Sequence, residues 1–183
     1  MMGYFDTPIA AIAVNLKVAS SSLARAIIRA HHPEEEAMLH TRQGEGERWT
    51  EYPEGRGPEN TRWQSVCPKV EPEERESIFL LVRDPVERFR SACAEREIQD
   101  VSGLLDRLES GQCYDPHFAP QSQFAGEGVR VYRYPDQLEE LARDAGLEHP
   151  LPEILGPRRP KPELTQEQEA RVKRIYSEDF KLC

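Results

Sequence analysis

Apolar residues in this chain gather in short continuous runs, and stripes at helical spacing follow those runs. Residues 9–15 (Ile-Ala-Ala-Ile-Ala-Val-Asn) form such a run, which predicts a strand covered on both faces. Leu23, Ala26, Ile27 and Ala30 then fall at i, i+3, i+4 and i+7 and predict a helix over 22–32. Ile78 to Val82 reads as a second strand. A helix is expected straight after it, with Asp84 as N-cap, Pro85 at its first position, Glu87 where a capping box wants it, and Val86, Phe89 and Cys93 as its buried stripe. Val101, Leu104, Leu105 and Leu108 predict a further helix that stops near Gly111. Val129 to Arg133 alternates as a third strand. Residues 136–145 read as a helix with Leu138, Leu141 and Ala145 inward and Gly146 as the stop. A proline-rich connector over 150–162 leads to Thr165-x-x-Gln168, a capping box for a last helix carrying Val172, Ile175, Tyr176 and Phe180. Strands alternating with helices imply an α/β fold with a mainly parallel central sheet.

Residues 40–76 break the pattern. They are rich in Glu, Arg, Gly and Pro and show no period, as expected of a lid, a binding excursion or disorder. There is no internal repeat, and 183 residues suit one domain, so residues 1–183 are read as a single unit with this long polar excursion.

Composition narrows the function classes. A net charge of −9 lacks the basic footprint of a general nucleic-acid binder, so any anionic ligand has to meet a local basic pocket. Four scattered cysteines (Cys67, Cys93, Cys113, Cys183) include no C-x-x-C pair. They argue against structural zinc or a disulfide scaffold, and reduced thiols in a cytoplasm are expected. The longest apolar stretch, 8–16, is far short of the ~20 residues a membrane span needs. Asp6 before it is unlike the basic flank of a secretory signal.

Two segments carry candidate chemistry. The first strand runs into Lys17-Val-Ala-Ser-Ser-Ser22 and then a helix. Small residues at a helix N-terminus let backbone N–H groups approach an anion closely, and Lys17 adds a point charge. The plainer alternative is a serine-rich cap with a surface lysine. A kinase or NTPase loop would carry two glycines and place its lysine near the end, whereas here lysine comes first. In the second segment Arg83 leaves the carboxyl end of a strand, where open α/β sheets bind ligands, and Ser91 lies two turns down the next helix. The alternative there is an arginine paired to a neighbouring carboxylate and an ordinary helical serine.

Together the two segments resemble the 3′-phosphoadenosine-5′-phosphosulfate (PAPS)-dependent sulfotransferases, in particular the carbohydrate (Golgi-type) branch. That family carries a strand–loop–helix of the kind Lys-x-Gly/Ala-x-Thr/Ser-x, matched by Lys17-Val-Ala19-Ser20-Ser21-Ser22. A later Arg-Asp-Pro-x-x-Arg with a serine eight positions after the first arginine is matched by Arg83 to Arg88 and Ser91. His117-Phe-Ala-Pro-Gln121 looks like the family's His-aromatic-x-Pro-Gln stretch, and residues 175–180 look like its C-terminal helix. The resemblance spans most of the chain outside 40–76. The chain departs from the family in being shorter than the Golgi enzymes and in having serines for the usual threonine pattern, and their membrane anchor is not expected in it.

The resemblance implies a three-layer, P-loop-like sulfotransferase fold and sulfuryl transfer from PAPS, leaving adenosine 3′,5′-bisphosphate (PAP), to a hydroxyl or amine of an acceptor. A carbohydrate acceptor is expected, with no metal. Ala19, Ser20, Ser21 and Ser22 would hold the 5′-phosphate and Arg83 and Ser91 the 3′-phosphate. Lys17 would stabilise charge on the departing oxygen, and fixed donors with one lysine suit a sulfuryl group without Mg²⁺. The proton acceptor is expected to be His117, with His40 or a glutamate of the excursion open. Arg158 and Arg159 are read either as nucleotide contacts or as a solvated basic turn. Trp49, Tyr52 and Trp63 give the excursion aromatic faces that stack on sugars as readily as they fill a core. The rival readings are a Mg²⁺-dependent small-molecule or nucleotide kinase and a catalytically silent nucleotide-binding protein.

Overall fold

The computed structural model describes residues 4–13, 17–31, 69–147 and 159–183. Two short strands, β1 (Tyr4–Asp6) and β2 (Ala11–Ala13), pair as an antiparallel hairpin, with Phe5 opposite Ile12. α1 (Ser20–His31) follows, then β3 (Lys69–Val70), a 3-10 turn at Pro72–Glu74 and β4 (Ile78–Val82). α2 (Pro85–Glu95) and α3 (Val101–Glu109) come next, then 3-10 turns at Pro116–Phe118 and Gln121–Phe124. β5 (Val129–Arg133), α4 (Leu138–Asp144), α5 (Gln166–Ile175) and a last 3-10 turn at Asp179–Lys181 complete the order.

The sheet order is β3-β1-β2-β4-β5. It is mixed: β2, β4 and β5 run parallel, while β1 lies antiparallel to β2 and β3. The parallel half contains the two longest strands. It brings the carboxyl ends of β2 and β4 side by side, where the chain leaves toward α1 and α2.

β4 is covered on both faces, as its unbroken apolar run predicts. Phe79 and Leu81 join Phe5, Ile12 and Tyr132 beneath α1 (Leu23, Ala26, Ile27) and α4 (Leu141, Ala142). Leu80 and Val82 point the other way, with Ala13, against Phe124 and the partly buried Leu182. This is the two-residue period of a strand at work. Full burial of a side chain of this size contributes about 1.5–3 kcal/mol. A separate helical core joins Phe89, Ala92 and Cys93 of α2 to Leu104 and Leu105 of α3, Phe118, and Val172 and Tyr176 of α5.

Several elements differ from the sequence reading. The strand expected over 9–15 begins at Ala11, because Thr7 ties Pro8 to Ala10 into a turn. Its hydroxyl donates to the Ala10 carbonyl (2.7 Å) and accepts from the Ala10 N–H (2.8 Å), which leaves Ile9 53% exposed. The helix expected from 136 begins at Leu138, since the Gln137 side chain accepts from the Arg133 N–H (3.0 Å) and holds a turn there. Phe180 sits in the last 3-10 turn, beyond α5. Within the excursion expected to run to 76, the described residues from Lys69 onward form a strand and a 3-10 turn. β3 pairs with β1, and Arg75 Nε donates to Asp6 (2.8 Å). Its preceding part, with His40, Trp49, Tyr52 and Trp63, lies outside the described residues, as do residues 14–16 and Arg158. Among the described residues no helix is long and apolar enough to cross a membrane.

Candidate anion site

Residues 17–19, just ahead of α1, take an unusual backbone path. Lys17 (φ 69°) and Ala19 (φ 58°) both occupy the left-handed region, which L residues enter at a cost. Val18 between them is buried and anchors the loop to the core under α1. The Ala19 carbonyl accepts from the Leu23 N–H (3.0 Å), so Ala19 precedes the first turn of α1 and Ser20 to Ser22 open the helix. The free N–H groups of a helix start form a donor set suited to an anion, and the left-handed residues just ahead of it bend the chain toward that end.

The β4–α2 junction lies against this loop. Arg83 Nη1 donates to the carbonyl oxygen of Lys17 (3.2 Å), and its guanidinium sits over the Tyr134 ring (5.3 Å to the centroid). Arg83 Nη2 is 3.7 Å from a Glu87 carboxylate oxygen, and Lys17 Nζ is 3.3 Å from Glu95 Oε2. Glu87, Ser91 and Glu95 are spaced i, i+4, i+8 and share one stripe of α2. The contacts therefore close a circuit, Arg83 to Glu87, along the helix past Ser91 to Glu95, to Lys17 and back to Arg83. Asp84 is engaged elsewhere: it caps α2 by accepting from the Glu87 N–H (2.9 Å).

More cations approach the same helix. Lys161 Nζ pairs with Glu87 (2.8 Å), and Arg90 bridges Glu87 (2.7 Å) and the Pro162 carbonyl (2.9 Å). Arg159 donates to the Glu95 carbonyl (3.0 Å) and pairs with Glu97 (2.9 Å). Glu87 is consequently held below the usual carboxylate range, first by its hydrogen bond from Lys161 and further by Arg90, against the opposing effect of burial. Lys17, Arg83, Arg90, Arg159 and Lys161 thus stand against Glu87, Glu95 and Glu97, a local basic surplus on an acidic protein.

His117 lies near the far end of α2. It is only 5% exposed. Asp115 accepts from its backbone N–H (2.9 Å) and faces its Nδ1 (2.7 Å), while Arg96, one residue beyond Glu95, binds the other carboxylate oxygen (2.6 Å). Burial pushes the Asp115 carboxyl up, but the His117 N–H, its ring and Arg96 outweigh burial and hold it low. An ionised Asp115 favours the tautomer with the proton on Nδ1.

Of the residues singled out in the sequence, Arg83 and Lys17 are in contact, Ala19 and Ser20 to Ser22 follow Lys17 into the start of α1, and Ser91 lies on the α2 stripe between their partners Glu87 and Glu95. Arg88 of the same motif is instead 3% exposed and turned into the protein. Burial lowers the pKa of its guanidinium, while Tyr176 and Asp179 raise it. The sequence reading did not single out Tyr134, Glu95 or Lys161. Among the described residues no group of three or more His, Cys, Asp or Glu side chains could hold a metal ion. No protein-family model, curated protein or solved structure matches this chain.

Proposed function

We propose that the protein is a sulfotransferase that moves a sulfuryl group from PAPS to a hydroxyl or amine of a carbohydrate-like acceptor, on a three-layer, P-loop-like α/β scaffold. The observation that carries this reading is the circuit through Lys17, Arg83 and the Glu87–Ser91–Glu95 stripe. Two segments 66 residues apart meet by way of the Arg83–Lys17 hydrogen bond, and both belong to the matched motifs. On this reading the Ala19–Ser22 helix start holds the 5′-phosphate. Arg83 and Ser91 hold the 3′-phosphate, with Arg158 as a further nucleotide contact. Guanidinium and hydroxyl donors provide charge-assisted hydrogen bonds there.

In the transfer, the bond from sulfur to the bridging phosphate oxygen breaks as a bond from sulfur to the acceptor oxygen or nitrogen forms. Lys17 stabilises the negative charge that develops on the departing oxygen. The acceptor proton passes to His117, whose contact with Asp115 stabilises the imidazolium that results. No step calls for a metal.

Calorimetric titration with adenosine 3′,5′-bisphosphate tests the reading. Magnesium-independent binding in the micromolar range, abolished by Arg83→Ala, is the expected result. Clear binding of Mg·ATP with none of the bisphosphate overturns the reading in favour of a kinase.

A further inference from the structure

We propose that Gln121 is a positioning residue for Arg83, and that Asp179 in turn fixes Gln121; the proposal rests on the reading of Arg83 as the ligand of the nucleotide's 3′-phosphate. The Gln121 amide grips the Arg83 backbone from both sides. Its Oε1 accepts from the Arg83 N–H (2.9 Å) and its Nε2 donates to the Arg83 carbonyl (2.8 Å). It thereby takes over where the β4–β5 pairing runs out, just past the Tyr134 N–H to Val82 carbonyl bond (2.7 Å). Gln121 is itself anchored from the far end of the chain. Asp179 accepts from the Gln121 N–H (2.9 Å) and from the Ser122 N–H (2.8 Å).

Both Gln121 and Asp179 are fully buried. Burying an amide and a carboxylate costs free energy that these hydrogen bonds offset, and an apolar side chain of the same volume would fill the space more cheaply. What the polar version adds is a fixed Cα position at the strand end. From that position the Arg83 side chain reaches both the Lys17 carbonyl and Glu87. An anion ligand on a long flexible side chain is effective only when its base is held to a fraction of an ångström.

The test compares adenosine 3′,5′-bisphosphate with adenosine 5′-monophosphate, which lacks the 3′-phosphate, in wild type, Arg83→Ala, Gln121→Met, Asp179→Asn and the Arg83→Ala/Gln121→Met double variant. Wild type is expected to prefer the bisphosphate by tenfold or more. Gln121→Met is expected to lose most of that preference while its affinity for the monophosphate stays within twofold. Asp179→Asn should lose part of it, and the double variant should be no worse than Arg83→Ala. A Gln121→Met protein that keeps the full preference overturns the positioning role and leaves the role of Arg83 standing. Should that variant fail to fold, retention of the preference by Asp179→Asn decides against the proposal in the same way. A wild type that binds neither nucleotide, or binds both equally, overturns the assignment of Arg83 and this proposal with it.

Discussion

The Arg83 guanidinium donates to the carbonyl oxygen of Lys17 across 3.2 Å. Lys17 stands in the left-handed region, so this contact helps hold a costly backbone conformation at the mouth of the site. The relationship also makes the two motifs interdependent. Arg83 supports the loop that opens α1, and the loop gives half-buried Arg83 a fixed polar partner.

The strain at Ala19 has a measurable sign. Replacing Ala19 by glycine removes about 1 kcal/mol or more of left-handed backbone cost and adds about 0.4–1 kcal/mol of unfolded-chain entropy. The expected stability therefore lies between that of wild type and about 1.5 kcal/mol above it. A β-branched residue cannot take φ 58° cheaply, so Ala19→Val should lose about 1–3 kcal/mol. Urea unfolding of the two variants checks this, and a valine variant as stable as wild type would refute the left-handed conformation.

Lys17 and the half-exposed Glu95 form an ion pair at 3.3 Å that an incoming anion must compete with. Exposed pairs of this kind are worth about 0.2–1 kcal/mol. Glu95→Gln is thus expected to tighten binding of adenosine 3′,5′-bisphosphate by up to about fivefold, with the gain shrinking at high salt. Weaker binding in the variant would mean that Glu95 holds the loop in shape and does not compete for Lys17.

The sequence exposes helix starts well because caps are local chemistry. Asp84 accepts from the Glu87 N–H, and Thr165 and Gln168 exchange both bonds of a capping box, as their spacing foretells. Gly111 and Gly146 end their helices at φ 71° and 70°, where a side chain would be strained. The two shortest strands on the antiparallel side are not legible in this way. Tyr4–Asp6 and Lys69–Val70 are too short to show a period and exist only because they pair with each other and with β2. The same limit applies to the site. Lys17, Arg83 and Ser91 stand out through their spacing, but the Gln121 grip spans 38 residues and the Asp179 anchor spans 58. Asp179 sits between Glu178 and Phe180 at the end of the expected last helix, and only the folded chain shows that its carboxylate is buried.

Acid stability should report the α3–α5 contact. Hydrogen bonds from Arg171 and then Arg174 draw the Glu109 carboxyl down to about 2 from an ordinary value of 4.5. A depressed carboxyl adds stability that is present above its unfolded value and is lost as pH falls through the folded one. The stabilisation from Glu109 is therefore present above about pH 4.5 and fades between there and pH 2. Thermal midpoints of wild type and Glu109→Gln should differ at pH 6 and converge toward pH 2. A constant difference across that range would mean that Glu109 acts through packing alone.

Cys183 should be a slow nucleophile despite its exposed position. Its Sγ–H donates to the Arg83 carbonyl (3.4 Å), and burial of the sulfur, with Asp84 and Asp179 nearby, pushes the thiol up from 9.0 to about 11. At pH 8 a shift of this size lowers the thiolate fraction about a hundredfold, and the greater intrinsic reactivity of a more basic thiolate returns about tenfold. Alkylation by iodoacetamide is expected to run about tenfold slower at Cys183 than at an unstructured peptide cysteine, and to keep rising with pH beyond 10. Peptide mapping of the time course assigns the rate to Cys183. A rate equal to that of the peptide would show that the thiol does not engage the Arg83 carbonyl in solution. Gln121→Met should leave the Cys183 rate low if the thiol contact is independent of the Gln121 grip, and raise it if the two close over Arg83 as one unit.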